Sequence, residues 1–194
     1  MDDCHVLYHF CSQREIPIEF GFCQKGGKDS AIRQVNALLV GSSLPEKIGI
    51  ILDADTEGAH KRWQQISNKL EKYGYDFSQG PQSEGVILYG SSGYPDLGVW
   101  IMPDNYDCGI LEDFLMNFAE YEGIRFAEQC VKKAVEKGFA NRKPVHNAKS
   151  IIHTYLAWQD EPGEAMGRAV KKNILDNKSG TGNKLEEWIC CLFS

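Results

Sequence analysis

Apolar residues recur along this chain with two different periods, which predict helices in some segments and strands in others. Helical spacing predicts four helices in the first two thirds of the sequence, over 3–12, 30–40, 57–73 and 110–121. Short apolar runs predict four strands, over 16–22, 47–53, 86–89 and 97–102. The run KIGIILD at 47–53 is continuously apolar, as is typical of a strand buried on both faces of a parallel sheet.

The last third of the sequence shows helical patterns only. They predict helices near 125–137, 146–158, 164–174 and 183–193. Strands and helices followed by helices alone predict an α/β fold with a mainly parallel sheet flanked by helices. We therefore expect an α/β domain over 1–123 and a helical C-terminal extension over 124–194 that packs on it. Three tryptophans are expected in the core: Trp63, Trp100 and Trp188.

Composition and charge narrow the classes of function. The 194 residues are 42% hydrophobic and 25% charged, as is ordinary for a globular protein. The formal net charge of -6 argues against broad coating of nucleic acid or of anionic membranes, although a local basic groove facing a metal site is compatible with it. The seven cysteines lack C-x-x-C spacing, so we expect reduced thiols in a cytoplasmic protein. Since no apolar stretch approaches the roughly 18 residues of a membrane span, we expect no membrane association.

The stretch GIILDADTEG, residues 49–58, ends an apolar run in two acids, Asp53 and Asp55. Ligands of parallel α/β sheets gather beyond the carboxyl ends of the strands. If the extended backbone persists for two residues, both carboxylates point the same way and form an oxygen pair that suits Mg²⁺ or Mn²⁺. An aspartyl-phosphate phosphatase is disfavoured because Glu57 stands where that motif has Thr or Val. The metal-holding acid pair of a nucleotide-sugar transferase, and a helix cap formed by Asp55 or Thr56, remain as alternatives.

A second group of acids follows the strand predicted over 97–102. Asp104 comes directly after it, and Glu112 and Asp113 fall in the first turn of the next helix. Neighbouring strands that each end in carboxylates predict one acidic crevice, and a divalent cation would relieve its self-repulsion. Two metals roughly 4 Å apart are the usual arrangement for in-line phosphoryl transfer. Acids at a helix start are also favoured by the helix dipole, so a purely structural role is the alternative.

Four separated motifs resemble, in order, a family of short Toprim-like proteins of uncharacterised function: GIILDADTEG followed by RW, GVWIMPDN, GILEDFL, and KSIIHTYLAWQDEPGEAMG. Toprim domains, found in topoisomerases, primases and OLD-family nucleases, are α/β folds that use carboxylates and Mg²⁺ on nucleic-acid phosphodiesters. The resemblance implies that Asp53 and Asp55 bind Mg²⁺ or Mn²⁺. By similarity to the OLD-type nucleases, it also implies that Glu112 serves a second metal with Asp104 nearby.

The sequence departs from the Toprim pattern at one point. Toprim domains carry a glutamate at the end of their first strand, and that strand would fall immediately before Met1. We expect either a start assigned too late or a copy that lacks this ligand. The hypothesis is two-metal-assisted hydrolysis of nucleic acid, inactive if the glutamate is essential. The competing hypothesis is a non-catalytic binding or regulatory partner of an ATPase, to which OLD-type Toprim domains are coupled.

Basic residues concentrate between Arg125 and Lys149, where seven Lys and Arg oppose Glu128 and Glu136, a local balance of 7 − 2 = +5. They are residues 125, 132, 133, 137, 142, 143 and 149. This segment predicts either a phosphate-contacting face or a solvated helix face. Lys149 and His153 share one face of a helix because they are four residues apart.

Lys149 is a candidate for neutralising charge that develops on a scissile phosphate. For His153, packing against Trp158 and Tyr155 is the alternative to a role in the site. The predicted catalytic set is therefore Asp53, Asp55, Glu112 and Lys149.

Overall fold

The computed structural model describes residues 2–23, 26–141, 143–176 and 178–194. Eight α-helices lie within these ranges: α1 (Asp2–Gln13), α2 (Lys28–Leu39), α3 (Ala59–Leu70), α4 (Leu111–Met116), α5 (Tyr121–Glu136), α6 (Asn147–Leu156), α7 (Met166–Lys171) and α8 (Gly180–Phe193). Three strands form one sheet: β1 (Lys47–Asp53), β2 (Val86–Leu88) and β3 (Asp96–Met102). Short 3-10 turns follow α3 at Glu71–Tyr73 and precede α6 at Pro144–His146. The predicted α/β class is confirmed.

The sheet is mixed, with strand order β1-β3-β2. β1 and β3 pair in parallel along their whole length, from Lys47 opposite Asp96 to Asp53 opposite Met102. β2 is shorter and pairs antiparallel with β3 at the edge of the sheet. The carboxyl ends of the two long strands therefore lie at the same edge of the sheet, as the prediction of one acidic crevice assumes.

Helices cover both faces of this sheet, and successive residues of β1 point alternately to one face and to the other. Ile48, Ile50 and Leu52 belong to the hydrophobic core shared with α2 and α3. The opposite face is covered by α8. Gly49 and Gly98 lie opposite each other in the β1/β3 register, and a Cβ at Gly98 would stand 2.4 Å from the Leu192 side chain. Two paired glycines thus let α8 lie directly on the strands.

The last helix contributes to the core of the whole chain. α8 contacts all three strands, and α1 packs against α7. One hydrophobic core accordingly joins side chains from both ends of the sequence, including Phe10, Trp100 and Trp188. Trp63, Trp100 and Trp188 are all buried, which confirms their expected place in the core. The predicted division at residue 123 stays a prediction.

Two predicted elements are wrong. The segment 16–22, predicted as a strand, is irregular. Its apolar residues still pack on the rest of the chain, and Phe20 stacks on Phe193 of α8 with ring centroids 4.1 Å apart. The helix predicted over 110–121 ends at Met116, where the Asn117 side-chain amide donates to the carbonyls of Asp113 and Phe114. A side chain that binds nearby carbonyls competes with the helix ladder. In the described part of the chain, no helix is long and apolar enough to cross a membrane.

Candidate metal site at the end of the parallel strands

Backbone hydrogen bonds tie the segment after β1 to the segment after β3. The Ala54 N–H donates to the Met102 carbonyl at 3.0 Å. Asp55 and Gly109 then exchange two bonds, with N···O distances of 2.8 and 2.9 Å. These bonds hold the acid-bearing turn against the chain that leads into α4. The sequence therefore brings Asp53, Asp55 and Glu112 to one place, as predicted from the strand ends.

Asp53 is the last residue of β1, and its carboxylate faces the start of α4. Its Oδ1 accepts a hydrogen bond from the Leu111 N–H at 2.9 Å. Burial, together with the charges of Asp3, Glu112 and Asp55, raises the pKa of Asp53 to about 6, against the lowering effect of the Leu111 hydrogen bond. Among the described residues, no ion pair joins Asp53 to a cation.

Asp55 lies two residues further on but has different surroundings. Its backbone turns into the left-handed region with φ +54°, so the condition of extended backbone across both acids is not met. Its Oδ2 forms an ion pair with the Arg62 guanidinium at 2.7 Å. The predicted alternative of a helix cap at Asp55 or Thr56 is wrong, because the N-cap of α3 is Gly58 and no side chain caps it.

Arg62 is a residue of this site that the sequence prediction missed. It is fully buried, and it binds the Asp53 carbonyl at 2.7 Å through Nε and the Gln65 side chain through a second nitrogen. A buried guanidinium needs such partners, because an unpaired charge is costly away from water. The signal was available, since Arg62 stands beside Trp63 on the apolar stripe of α3, where an arginine indicates a buried partner.

Glu112 and Lys149 form the second ion pair of the site. Lys149 Nζ lies 3.4 Å from Glu112 Oε1, and the side chains are 51% and 8% exposed respectively. Glu112 is in the first turn of α4 and Lys149 is on α6, so the pair links the two helices. The buried Glu112 carboxylate is thus held by a cation that also faces solvent, and the predicted role of Lys149 at a phosphate stays a prediction.

The other two predicted acids, Asp104 and Asp113, accept hydrogen bonds from backbone N–H groups close to them in the sequence. Asp104 Oδ1 accepts from the N–H groups of Tyr106 and Asp107 and so stabilises the turn after β3. It is not among the three acids that raise the pKa of Asp53. Asp113 Oδ2 accepts from the Ile110 N–H at the start of α4, and burial raises the pKa of Asp113. The contacts of Asp113 therefore agree with the alternative of a purely structural role at the start of a helix.

Asp3 is the acid that the metal prediction did not include. It lies in the first turn of α1, and its charge raises the pKa of Asp53 more than those of Glu112 and Asp55 do. The site consequently combines carboxylates from α1, β1, the turn after β1 and α4. The effect of the Asp3 charge on Asp53 depends on the packing of α1.

A divalent cation fits this set in a limited way. In the described part of the chain, no group of three or more His, Cys, Asp or Glu side chains is placed so that it could hold a metal ion. Mg²⁺ does not require such a group, since it usually keeps several waters and binds one or two carboxylates together with substrate phosphates. Asp53 suits such a partial site, because its carboxylate lies among like charges and has no cationic partner among the described residues.

The predicted basic segment is exposed along α5 and beyond it. Lys132, Lys133 and Lys137 are all solvent-exposed, and the Arg125 guanidinium lies 5.5 Å from the Tyr121 ring centroid. Arg142 lies outside the described residues. His153 is exposed, and Trp158 contacts Phe126 with ring centroids 5.4 Å apart.

The whole sequence matches one family model, described as Protein of unknown function (DUF3226), over residues 1–194. The chain belongs to the DUF3226 family. No curated protein and no solved structure matches it. Membership in DUF3226 assigns no reaction, so the chemistry of this chain has to be argued from its own residues.

Proposed function

We propose that this DUF3226 protein is a Toprim-like enzyme that uses Mg²⁺ or Mn²⁺ to hydrolyse phosphodiester bonds in nucleic acid. The observation that carries the proposal is the placement of Asp53. Its partly buried carboxylate ends one strand of the parallel pair, has a pKa raised by burial and by the charges of Asp3, Glu112 and Asp55, and has no cationic partner among the described residues. A site of this kind is stabilised by a bound divalent cation, which neutralises the mutual repulsion of the carboxylates.

The fold supports this proposal at a coarser level. The acids follow the carboxyl end of a parallel strand, where ligands of open α/β sheets bind. The motifs that resemble Toprim-like proteins include β1 with Asp53 and Asp55, and the start of α4 with Glu112. The Toprim-like topology itself is part of the proposal.

Each side chain has a role that follows from its contacts. Asp53 would hold the cation, and Asp55 is kept at the rim of the site by Arg62. Lys149 is half-exposed and held next to the site by Glu112, so its ammonium group can approach a substrate phosphate and stabilise negative charge there. The cation, when bound, would supply charge neutralisation at the phosphate and a lowered pKa for a water molecule. Asp104 has no role in this scheme beyond the turn that it stabilises.

A non-catalytic function is the competing proposal, and two contacts favour it. Asp55 is paired with Arg62, and Glu112 is paired with Lys149, so two of the predicted metal ligands already have cationic partners. In this alternative the acids stabilise the fold, and the protein acts as a binding or regulatory partner, for instance of an ATPase. Dependence of activity on the metal and on Asp53 separates the two proposals.

Hydrolysis of labelled single- and double-stranded DNA and RNA in the presence of Mn²⁺ tests the proposal. We expect cleavage by the unaltered chain, and a loss of at least 100-fold for Asp53→Asn, which keeps the shape of the side chain and removes its charge. Asp160→Asn is the matched control, because Asp160 is an exposed acid outside this site. Absence of cleavage by the unaltered chain, or equal rates for the two variants, contradicts the proposal and favours the non-catalytic one.

A further inference from the structure

A groove of about 900 Å³ lies between α2 and α3 on the face of the sheet opposite α8. Both helices pack on β1, and they approach each other only loosely along their exposed edges. One contact crosses the floor of the groove, where the Tyr73 hydroxyl donates to the Asn36 side-chain oxygen at 2.9 Å. The size of the groove lies within the range of ligand-binding clefts in proteins.

The sequence of each helix explains which side chains line this groove. On α2 the lining residues recur at the i, i+3, i+4 and i+7 positions from Arg33, and on α3 and its 3-10 turn they recur in the same way from Gln65. Residues with this spacing share one face of a helix. The polar residues that line the groove are Asp29, Arg33, Asn36, Gln65, Asn68, Lys69, Lys72 and Tyr73.

The lining has a positive balance within a negatively charged protein. Arg33, Lys69 and Lys72 oppose one acid, Asp29, which gives 3 − 1 = +2 in a chain of formal net charge -6. All three cations are exposed, and none forms an ion pair with an acid among the described residues. Cations that line a concave surface attract anions more strongly than the same cations on a convex surface, because the low-dielectric walls focus their field.

We infer that the groove between α2 and α3 binds the phosphate backbone of a nucleic-acid strand. This inference rests on the proposed function and adds the surface that holds the substrate. Each lining face extends over seven helical steps, which is about 10 Å at 1.5 Å per residue, long enough to contact more than one phosphate of a strand. The exposed amide side chain of Asn68 can hydrogen-bond to phosphate or sugar oxygens without reading the sequence.

Gln65 connects the groove to the acidic site. Its side chain lines the groove and also binds the guanidinium of Arg62, which in turn holds the Asp55 carboxylate. A strand that lies in the groove is therefore held by the same helix that positions Asp55. The groove would accordingly hold a segment of the strand next to the scissile bond.

Fluorescence anisotropy with labelled 20-nucleotide DNA and RNA strands tests the inference. The buffer contains EDTA, so that binding is measured without cleavage. The groove variant combines Arg33→Glu, Lys69→Glu and Lys72→Glu. A matched control combines Lys132→Glu, Lys133→Glu and Lys137→Glu on the exposed face of α5, with the same change in net charge. We expect at least a tenfold loss of affinity for the groove variant and less than a threefold loss for the control.

The salt dependence gives a second readout. Three lost phosphate contacts reduce the slope of log K against log [salt] by about 2 for a single strand. Equal losses in the two variants, a larger loss in the α5 variant, or no binding by the unaltered chain would each overturn the inference. Mn²⁺-dependent hydrolysis of bis(p-nitrophenyl) phosphate, a small ester that needs no groove, tests the proposed function separately. A groove variant that binds normally overturns the inference even if the unaltered chain hydrolyses this ester.

Discussion

The end of β1 and the turn that follows it each carry one carboxylate, and the surroundings of the two charges differ. The carboxylate in the turn has a cationic partner, whereas the one at the strand end lies near other acids. Asp53 at the strand end is partly buried, has a pKa raised by burial and by the charges of three other acids, and has no cationic partner among the described residues. Asp55 in the turn is 41% exposed and pairs with a fully buried arginine. Two acids separated by one alanine thus differ because the left-handed turn at Asp55 directs its side chain to α3. Charge stabilises the fold at Asp55 and opposes it at Asp53.

The largest effect is expected at Asp55. Asp55→Ala removes the carboxylate that pairs with Arg62 and leaves a buried guanidinium with only neutral acceptors, at a cost of about 3 kcal/mol in the free energy of unfolding. Part of this cost arises because alanine tolerates a left-handed backbone less well than aspartate does. Chemical denaturation of both chains at pH 7 measures the difference.

Asp55→Asn is the matched control, since asparagine tolerates the left-handed backbone and removes only the charge. We expect it to lose most of the same stability. A second variant that adds Arg62→Met to Asp55→Ala should recover part of the loss, because no unpaired charge is then buried. Stability of Asp55→Ala within 0.5 kcal/mol of the unaltered chain, on the scale of ordinary surface substitutions, would show that the ion pair is unimportant.

The same conservative change at Asp53 is expected to act in the opposite direction. Burial and neighbouring acids raise the pKa of Asp53 to about 6 in the folded chain, above its ordinary value of 3.8. The folded state therefore holds this proton more tightly than the unfolded state, and stability falls as pH rises from about 4 to about 6. Asp53→Asn, which keeps an acceptor for the Leu111 N–H, should be more stable by about 2 kcal/mol at pH 7.

The pH profile separates this explanation from a general improvement in packing. Near pH 3 the carboxyl group is largely protonated in both states, so the two chains should have nearly equal stability. The difference should then grow between about pH 3 and pH 7, through both pKa values, and stay constant above about pH 7. Urea denaturation at one pH unit intervals, without divalent cations, measures it. A difference that does not change with pH would contradict the account.

The positions of the strand ends could be predicted from the sequence because the patterns that indicate them are local. KIGIILD is a continuous apolar run that ends in an acid, and such a run is typical of a buried parallel strand wherever it occurs. The period of apolar residues in α1, α2 and α3 is likewise local. These patterns place Asp53 at the sheet edge without any knowledge of the rest of the fold.

The parts that were missed depend on tertiary contacts. The apolar residues of 16–22 suit a strand, but Phe20 packs on α8 and the segment forms no ladder. The approach of Asp3 to Asp53 depends on the position of α1. The direction of the Asp55 side chain depends on its left-handed backbone conformation. Aspartate can adopt this conformation, but the sequence alone does not indicate that it does so here. The groove between α2 and α3 is formed by two faces that are each polar and unremarkable when taken alone.

Binding of Mn²⁺ tests the central claim, that Asp53 holds a divalent cation, most directly. Electron paramagnetic resonance follows the free ion as each chain is added at pH 7, above the pKa of Asp53, and Mg²⁺ is then used as a competitor. The account predicts that the unaltered chain and Asp160→Asn bind Mn²⁺ alike, that Mg²⁺ displaces it, and that Asp53→Asn binds at least tenfold more weakly. Equal binding by Asp53→Asn, or no binding by the unaltered chain, would contradict the claim and leave the acids with structural roles alone.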